Sequence, residues 1–226
     1  AFTGLPKVAP SPIKDRIYND SIPLELTEVE INEIIDKFVL AIERAKLAGY
    51  DGVQLHLAHG YLLSSFLSPH TNKRMDKWGG NSANRFKIIK EIYKEARKKV
   101  GDYPILVKIN GHEKCKDGMT PEEAVKIAKY LQEVDCDGIE VSCGIIADGL
   151  NFARGDVPFD MLVHIEDKLK KIPKFSYPLV KLILNKAMKS PEPRHLYNLS
   201  TAKLIKKQVD IPVIVVGGIR KLSEIR

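Results

Sequence analysis

No run of 18 or more apolar residues occurs in the 226-residue chain, so no membrane-spanning helix is expected. The opening residues, Ala1 to Pro6, lack a charged segment followed by an apolar block and do not read as a secretory leader. Cysteine is scarce: the three are Cys115, Cys136 and Cys143, and their spacings fit no zinc or iron–sulfur motif. An odd count without a secretory leader points to reduced thiols in a cytoplasmic protein. Aromatic residues make up 7% of the chain, and the basic stretches are poor in them, so single-stranded nucleic acid finds no stacking platform. The formal charge of +7 comes from lysines scattered along helices, apart from Lys168, Lys170, Lys171 and Lys174. It reads as solvated helix faces with some attraction for an anionic ligand, and no nucleic-acid partner is expected. Internal repeats and low-complexity tracts are absent as well.

What remains is ordinary globular material, with 44% hydrophobic and 29% charged residues. The length suffices for a sizeable core, and residues 1–226 are expected to form one domain. Residues 1–26 are proline-rich and read as an irregular arm. Thr27 then caps a helix, and Glu30 completes a capping box. Ile31, Ile34, Ile35, Phe38, Ile42 and Ala45 form its apolar stripe, and Gly49 is its stop. The same grammar recurs. Ser82 is the expected cap of a helix to about Val100, Thr120-Pro121-Glu122-Glu123 opens one to about Val134, and Ser200 one to about Gln208. Strands are expected near Val53, over Ile105–Ile109, over Gly138–Ser142 and over Pro212–Val216.

Strands alternating with helices imply a parallel sheet, and apolar strands buried on both faces fit an α/β barrel or an open doubly wound sheet. A full (β/α)8 barrel needs eight strands, typically in about 250 residues. The interval from about 144 to 199 is broken by five prolines and suits short helices and a loop excursion. The chain is therefore expected to be incomplete. A small four-stranded domain, complete as written, is the plainer reading of the same pattern.

The chemistry concentrates between Asp51 and Tyr61. The strand-like run Val53–Leu55 delivers His56, His59 and Tyr61 within six positions, with Gly60 before the tyrosine. Two neutral hydrogen-bond donors beside a phenol can hold a carbonyl oxygen and supply a proton next to it. That is a reduction or isomerisation site in need of an electron source. Histidines at i and i+3 are also a zinc pattern, but no His-Glu-x-x-His sequence or nearby cysteine pair supports one, so no metal is assigned. Lys108 lies inside an apolar strand, where a lysine needs a partner. Arg74, Asp76 and Arg85 read as structural ion pairs and loop anchors, and His70, His112, His164 and His195 as exposed.

The segments His56-Leu57-Ala58-His59-Gly60-Tyr61-Leu62-Leu63, Phe66-Leu67-Ser68-Pro69, Asn72-Lys73-Arg74, Gly79-Gly80 and Asn84-Arg85 together closely resemble the old yellow enzyme family, the NADH:flavin oxidoreductases. The resemblance continues through Val8-Ala9-Pro10-Ser11, Val107-Lys108-Ile109-Asn110, Gly138-Ile139-Glu140-Val141-Ser142 and Val216-Gly217-Gly218-Ile219-Arg220. It is weakest from about 150 to 197.

This resemblance implies an α/β TIM (β/α)8 barrel, present here over about strands four to seven. It implies FMN as cofactor and NAD(P)H as reductant, with hydride passing to the β-carbon of an activated alkene such as an α,β-unsaturated carbonyl compound. His56 and His59 match the pair that grips the substrate's carbonyl oxygen. Tyr61 matches the proton donor to the α-carbon, and a phenol carries its proton at neutral pH. Lys108 matches the cation at the flavin's pyrimidine edge, where many relatives have arginine; lysine offers a point charge without the planar fork. Gly217 and Gly218 match the phosphate-binding turn, where absent side chains let backbone N–H groups come close. The partner implied is a small molecule; exposed strand edges would favour association with another copy.

Two other readings stay open: a fragment or interaction domain that keeps these residues without binding flavin on its own, and a phosphate-binding barrel enzyme without flavin.

Overall fold

The computed structural model describes residues 6–14, 22–145, 148, 171–187 and 195–225. Its centre is a four-stranded, wholly parallel sheet in the order β3-β4-β5-β6, built from β3 (Val53–Leu57), β4 (Ile105–Asn110), β5 (Gly138–Ser142) and β6 (Val213–Val215). Strict alternation sorts its residues. Ile105, Val107 and Ile109 of β4 are fully buried against the helices, and Leu55, Leu57, Ile139 and Val141 of the flanking strands join them. The other face is not buried as the apolar strands suggested. Its residues include His56, Lys108, Glu140 and Ile214, which pair across the sheet as one row. Ile214 remains 43% exposed. Among the described residues this face is covered only at its carboxyl end, where Asn110 and Ser142 are buried.

The helices on the buried side form where their stripes and caps demand. In α1 (Glu28–Leu47) the Thr27 hydroxyl accepts from the Glu30 N–H while the Glu30 carboxylate reaches back to Thr27, so the capping box closes. Ile31, Ile35, Val39 and Ile42 form its buried seam, and Gly49 takes a positive φ just past its end. A six-residue helix, α2 (Leu62–Leu67), follows β3 and was too short to show a period. α3 (Ser82–Val100) is capped by the Asn81 side chain, one residue before the expected Ser82. α4 (Pro121–Glu133) starts at Thr120 as expected, but its box stays half made, because the Glu123 carboxylate turns to Arg85 and Ser82. α5 (Tyr177–Ala187) occupies part of the proline-rich interval. α6 (Leu199–Lys206) is preceded by Asn198 rather than Ser200, with no side-chain cap.

The arm is more ordered than its composition implied. β1 (Val8–Ala9) and β2 (Leu24–Glu25) pair in parallel. Arg74 fastens them, donating to the carbonyls of Pro10 at 3.1 Å and Leu26 at 2.7 Å while pairing with Asp76 and Glu25. Both Arg74 and Arg85 are thus buried structural anchors. His70 is half-buried rather than exposed, its Nδ1 lying 2.8 Å from the Lys116 carbonyl. His112 is also half-buried, and His195 is exposed beside Glu224. His164, Lys168 and Lys170 lie outside the described residues.

Candidate active site at the carboxyl rim of the sheet

β3 ends in the motif that concentrates the chemistry. The strand runs two residues beyond Leu55, so His56 is its penultimate residue and projects to the face opposite the helices. The chain then turns sharply: His59 adopts φ +64° and Gly60 φ +81°. A left-handed backbone is costly for a residue with a Cβ. Here it swings the second imidazole back over the first. The His56 and His59 rings stand edge-on with centroids 5.0 Å apart, and the Tyr61 ring lies 4.8 Å from His56. Tyr61 is the residue before α2 and stays 60% exposed.

The electrostatics favour uncharged imidazoles. Burial, then the neighbouring His56, then Lys108 push His59 down to about 4. Burial and Lys108 also lower His56. Below them in the barrel-facing row, Lys108 Nζ meets Glu140 Oε1 at 3.1 Å, and Gln54 Nε2 donates to the other Glu140 oxygen at 2.8 Å. Lys108 therefore has its partner, on the polar face and not within the apolar layer.

Several residues to which the sequence reading gave no role complete the site. Ser142 Oγ lies 2.7 Å from His59 Nε2, and Asn110 Oδ1 accepts the His59 N–H at 3.1 Å. Buried Glu113 accepts from Asn110 Nδ2, Ser68 Oγ and the Met119 N–H. The two-residue period of β4 could have flagged Asn110, two places after Lys108. Nothing in the sequence singled out Glu113.

Gly217 and Gly218 follow β6 at the same rim, but three strands from β3, about 14 Å along the sheet at the usual strand spacing of about 4.8 Å. The structure thus brings His56, His59, Tyr61 and Lys108 together and sets the glycine turn apart. Gly217 has φ +122°, and a Cβ there would meet the Tyr197 ring at 2.5 Å. Among the described residues the Gly217 and Gly218 N–H groups donate to no acceptor. Such a turn suits a phosphate group, so the donor set fits a phosphorylated cofactor lying across the rim. Among the described residues no cluster of three or more potential metal ligands forms, and no helix is long and apolar enough to cross a membrane.

The depressed His59 titration carries a pH signature. The unfolded histidine takes up its proton near 6.5 and the folded one only near 4. As pH falls through that window the unfolded state binds more protons, so stability is lost from about 6.5 down to about 4 and levels off below. Urea midpoints measured across the window should fall for the parent and fall less for His59→Asn, a residue that tolerates φ > 0. Identical slopes would remove His59 as the source.

A parallel α/β sheet with convergent polar groups at its carboxyl rim defines the class: an α/β barrel, carried here over part of its length. Residues 6–154 match the NADH:flavin oxidoreductase / NADH oxidase family, and the chain belongs to that family. It is 40% identical over 176 residues to a NADH oxidase of Thermoanaerobacter brockii, covering 75% of this chain and 26% of that protein. It is 42% identical over 137 residues to a NADPH dehydrogenase of Listeria monocytogenes serotype 4b, covering 61% of this chain and 40% of that one. A solved 2-naphthoyl-CoA reductase superposes with a TM-score of 0.63 at 27% identity, covering 92% of this chain and 31% of its own. The chain thus spans about a quarter to two-fifths of the length of these relatives.

Proposed function

We propose that the chain carries the substrate-binding part of an FMN-dependent reductase that uses NAD(P)H to reduce activated alkenes, α,β-unsaturated carbonyl compounds among them. One observation carries this reading: two imidazoles that both resist protonation stand with centroids 5.0 Å apart, and a phenol ring lies 4.8 Å from the first of them, His56, at the rim where barrel enzymes work.

FMN, when bound, supplies hydride to the alkene's β-carbon and is recharged by NAD(P)H. The residues of this chain do the rest. His56 and His59 donate N–H to the carbonyl oxygen and stabilise the negative charge that gathers there as the β-carbon accepts hydride. Being neutral before substrate arrives, they do not hold a competing anion by charge. Tyr61 hands its hydroxyl proton to the α-carbon and completes a net addition of hydride and proton. Lys108 would hold the cofactor ring, with Glu140 fixing its ammonium, and Gly217 and Gly218 would take the phosphate on their N–H groups.

The test is the full-length protein. It should purify yellow, release FMN on denaturation, and oxidise NAD(P)H faster when an enone such as 2-cyclohexenone is added. A colourless protein that fails to take up added FMN would sink the reading. The isolated 226-residue chain should bind FMN weakly at best, because its His56 and Tyr61 face stands open and, among the described residues, the sheet has four strands. Stoichiometric, tight uptake by that chain would overturn this second expectation.

A further inference from the structure

The left-handed backbone at His59 needs a reason, and the buried polar groups behind it supply one. Asn110 ends β4, is fully buried, and pairs in register with Ser142 of β5. Its Oδ1 accepts the His59 N–H at 3.1 Å. Its Nδ2 donates to Glu113 Oε1 at 3.1 Å and lies 3.5 Å from Ser64 Oγ. An amide has one acceptor end and one donor end, so whatever fixes one end fixes the other. Glu113 is itself fixed, because its second oxygen accepts from Ser68 Oγ at 2.6 Å and from the Met119 N–H at 3.0 Å. The His59 backbone N–H can only donate, so it requires the amide oxygen; burial pushes the Glu113 carboxyl up, and with its proton on the other oxygen or absent, Oε1 still accepts from the amide nitrogen. The amide nitrogen must therefore face Glu113, and the amide oxygen must face His59. The opposite orientation would set the amide NH2 against the His59 N–H, donor to donor.

We propose that Asn110 is a positioning residue whose amide, oriented by buried Glu113, holds the His59 backbone in the left-handed region and so keeps the His59 imidazole beside His56 and Ser142. The inference rests on the reading above in which His59 grips the substrate's carbonyl oxygen, but the clamp itself is measurable without substrate. Released from the clamp, His59 relaxes toward an ordinary negative φ, and its ring leaves the position in which His56 and Ser142 partly bury it. A ring moved by about 1 Å loses roughly 100-fold in rate where orientation is the catalytic device.

The experiment uses Asn110→Ala in the full-length holoprotein, with Asn110→Ser as the milder variant should alanine impair folding. The first readout is the His59 ring titration followed by NMR on histidine-labelled protein. It should rise from about 4 toward the ordinary 6.5 as the ring gains solvent. The second readout splits the reaction: the alkene half should slow roughly 10- to 100-fold, and flavin reduction by NAD(P)H should stay within twofold. A His59 titration that stays near 4 in either folded variant, with alkene turnover unchanged, overturns the clamp. Should His59→Ala leave alkene reduction untouched while the titration still moves in the Asn110 variants, the carbonyl-gripping reading falls and the clamp stands.

Discussion

Replacing Tyr61 by phenylalanine should slow alkene reduction by about 100- to 10,000-fold, the usual span for removal of a positioned general acid. The substitution keeps the ring, which lies 4.8 Å from His56, and removes only the hydroxyl. Packing is little disturbed, since the side chain is 60% exposed and carries little of the core. The loss should appear in kcat for the enone and in kcat/KM alike, because a proton delivered to the α-carbon is an interaction made in the transition state. KM should move little, since in the proposed mechanism His56 and His59 would still hold the carbonyl oxygen. Flavin reduction by NAD(P)H, followed by bleaching of the yellow colour in the absence of alkene, should be unchanged. Stopped-flow measurement of the two halves decides the matter. An alkene half-reaction within threefold of the parent would mean that water or another group protonates the α-carbon and that Tyr61 only lines the site.

The legible part of this molecule is the part written in short periods. The four sheet strands were expected near residues 53, 106, 139 and 213, and they stand at Val53–Leu57, Ile105–Asn110, Gly138–Ser142 and Val213–Val215. The cluster of His56, His59 and Tyr61 was legible because all three sit within six residues of one strand end, where local backbone geometry alone can bring them together. Elements below the length of a period escaped: β1 and β2 have two residues each and α2 has six. The capping side chains at Asn81 and the half-made box at Thr120 were missed because caps depend on what competes for each side chain, and the competitors sit elsewhere in the chain. Glu123 is the clearest case, drawn off its own helix by Arg85, 38 residues earlier. Long-range pairs of this kind leave no local trace. The link from Gln54 to Glu140 crosses 86 residues and that from Ser68 to Glu113 crosses 45. Lys108 marks the boundary between the two cases. Its sequence setting showed that it needed a partner, while only the register of β4 against β5 names Glu140.

Removing the Glu123 carboxylate should be the most damaging single change outside the hydrophobic core, at about 3–5 kcal/mol for Glu123→Ala. The Arg85 guanidinium is 7% exposed and Glu123 is 14% exposed, so their ion pair is nearly dry. Arg85 also donates to the Leu67 carbonyl at 2.8 Å and the Gly80 carbonyl at 2.9 Å. It thereby ties the end of α2, the turn before α3 and the start of α4 at one point. With the carboxylate gone, a buried cation keeps two carbonyls and loses its counter-charge, which costs far more than the pair contributes over an apolar replacement. The urea midpoint should drop with the slope unchanged. Arg85→Met combined with Glu123→Leu should recover much of the loss, because both charges leave together and apolar volume fills the space. The strain should also reach the site. α2 begins directly after Tyr61, so freeing its Leu67 end loosens the element that aims the phenol, and the alkene half-reaction should slow even at temperatures where Glu123→Ala stays folded. A destabilisation below about 1 kcal/mol would show instead that water reaches this pair and that it behaves like an exposed one.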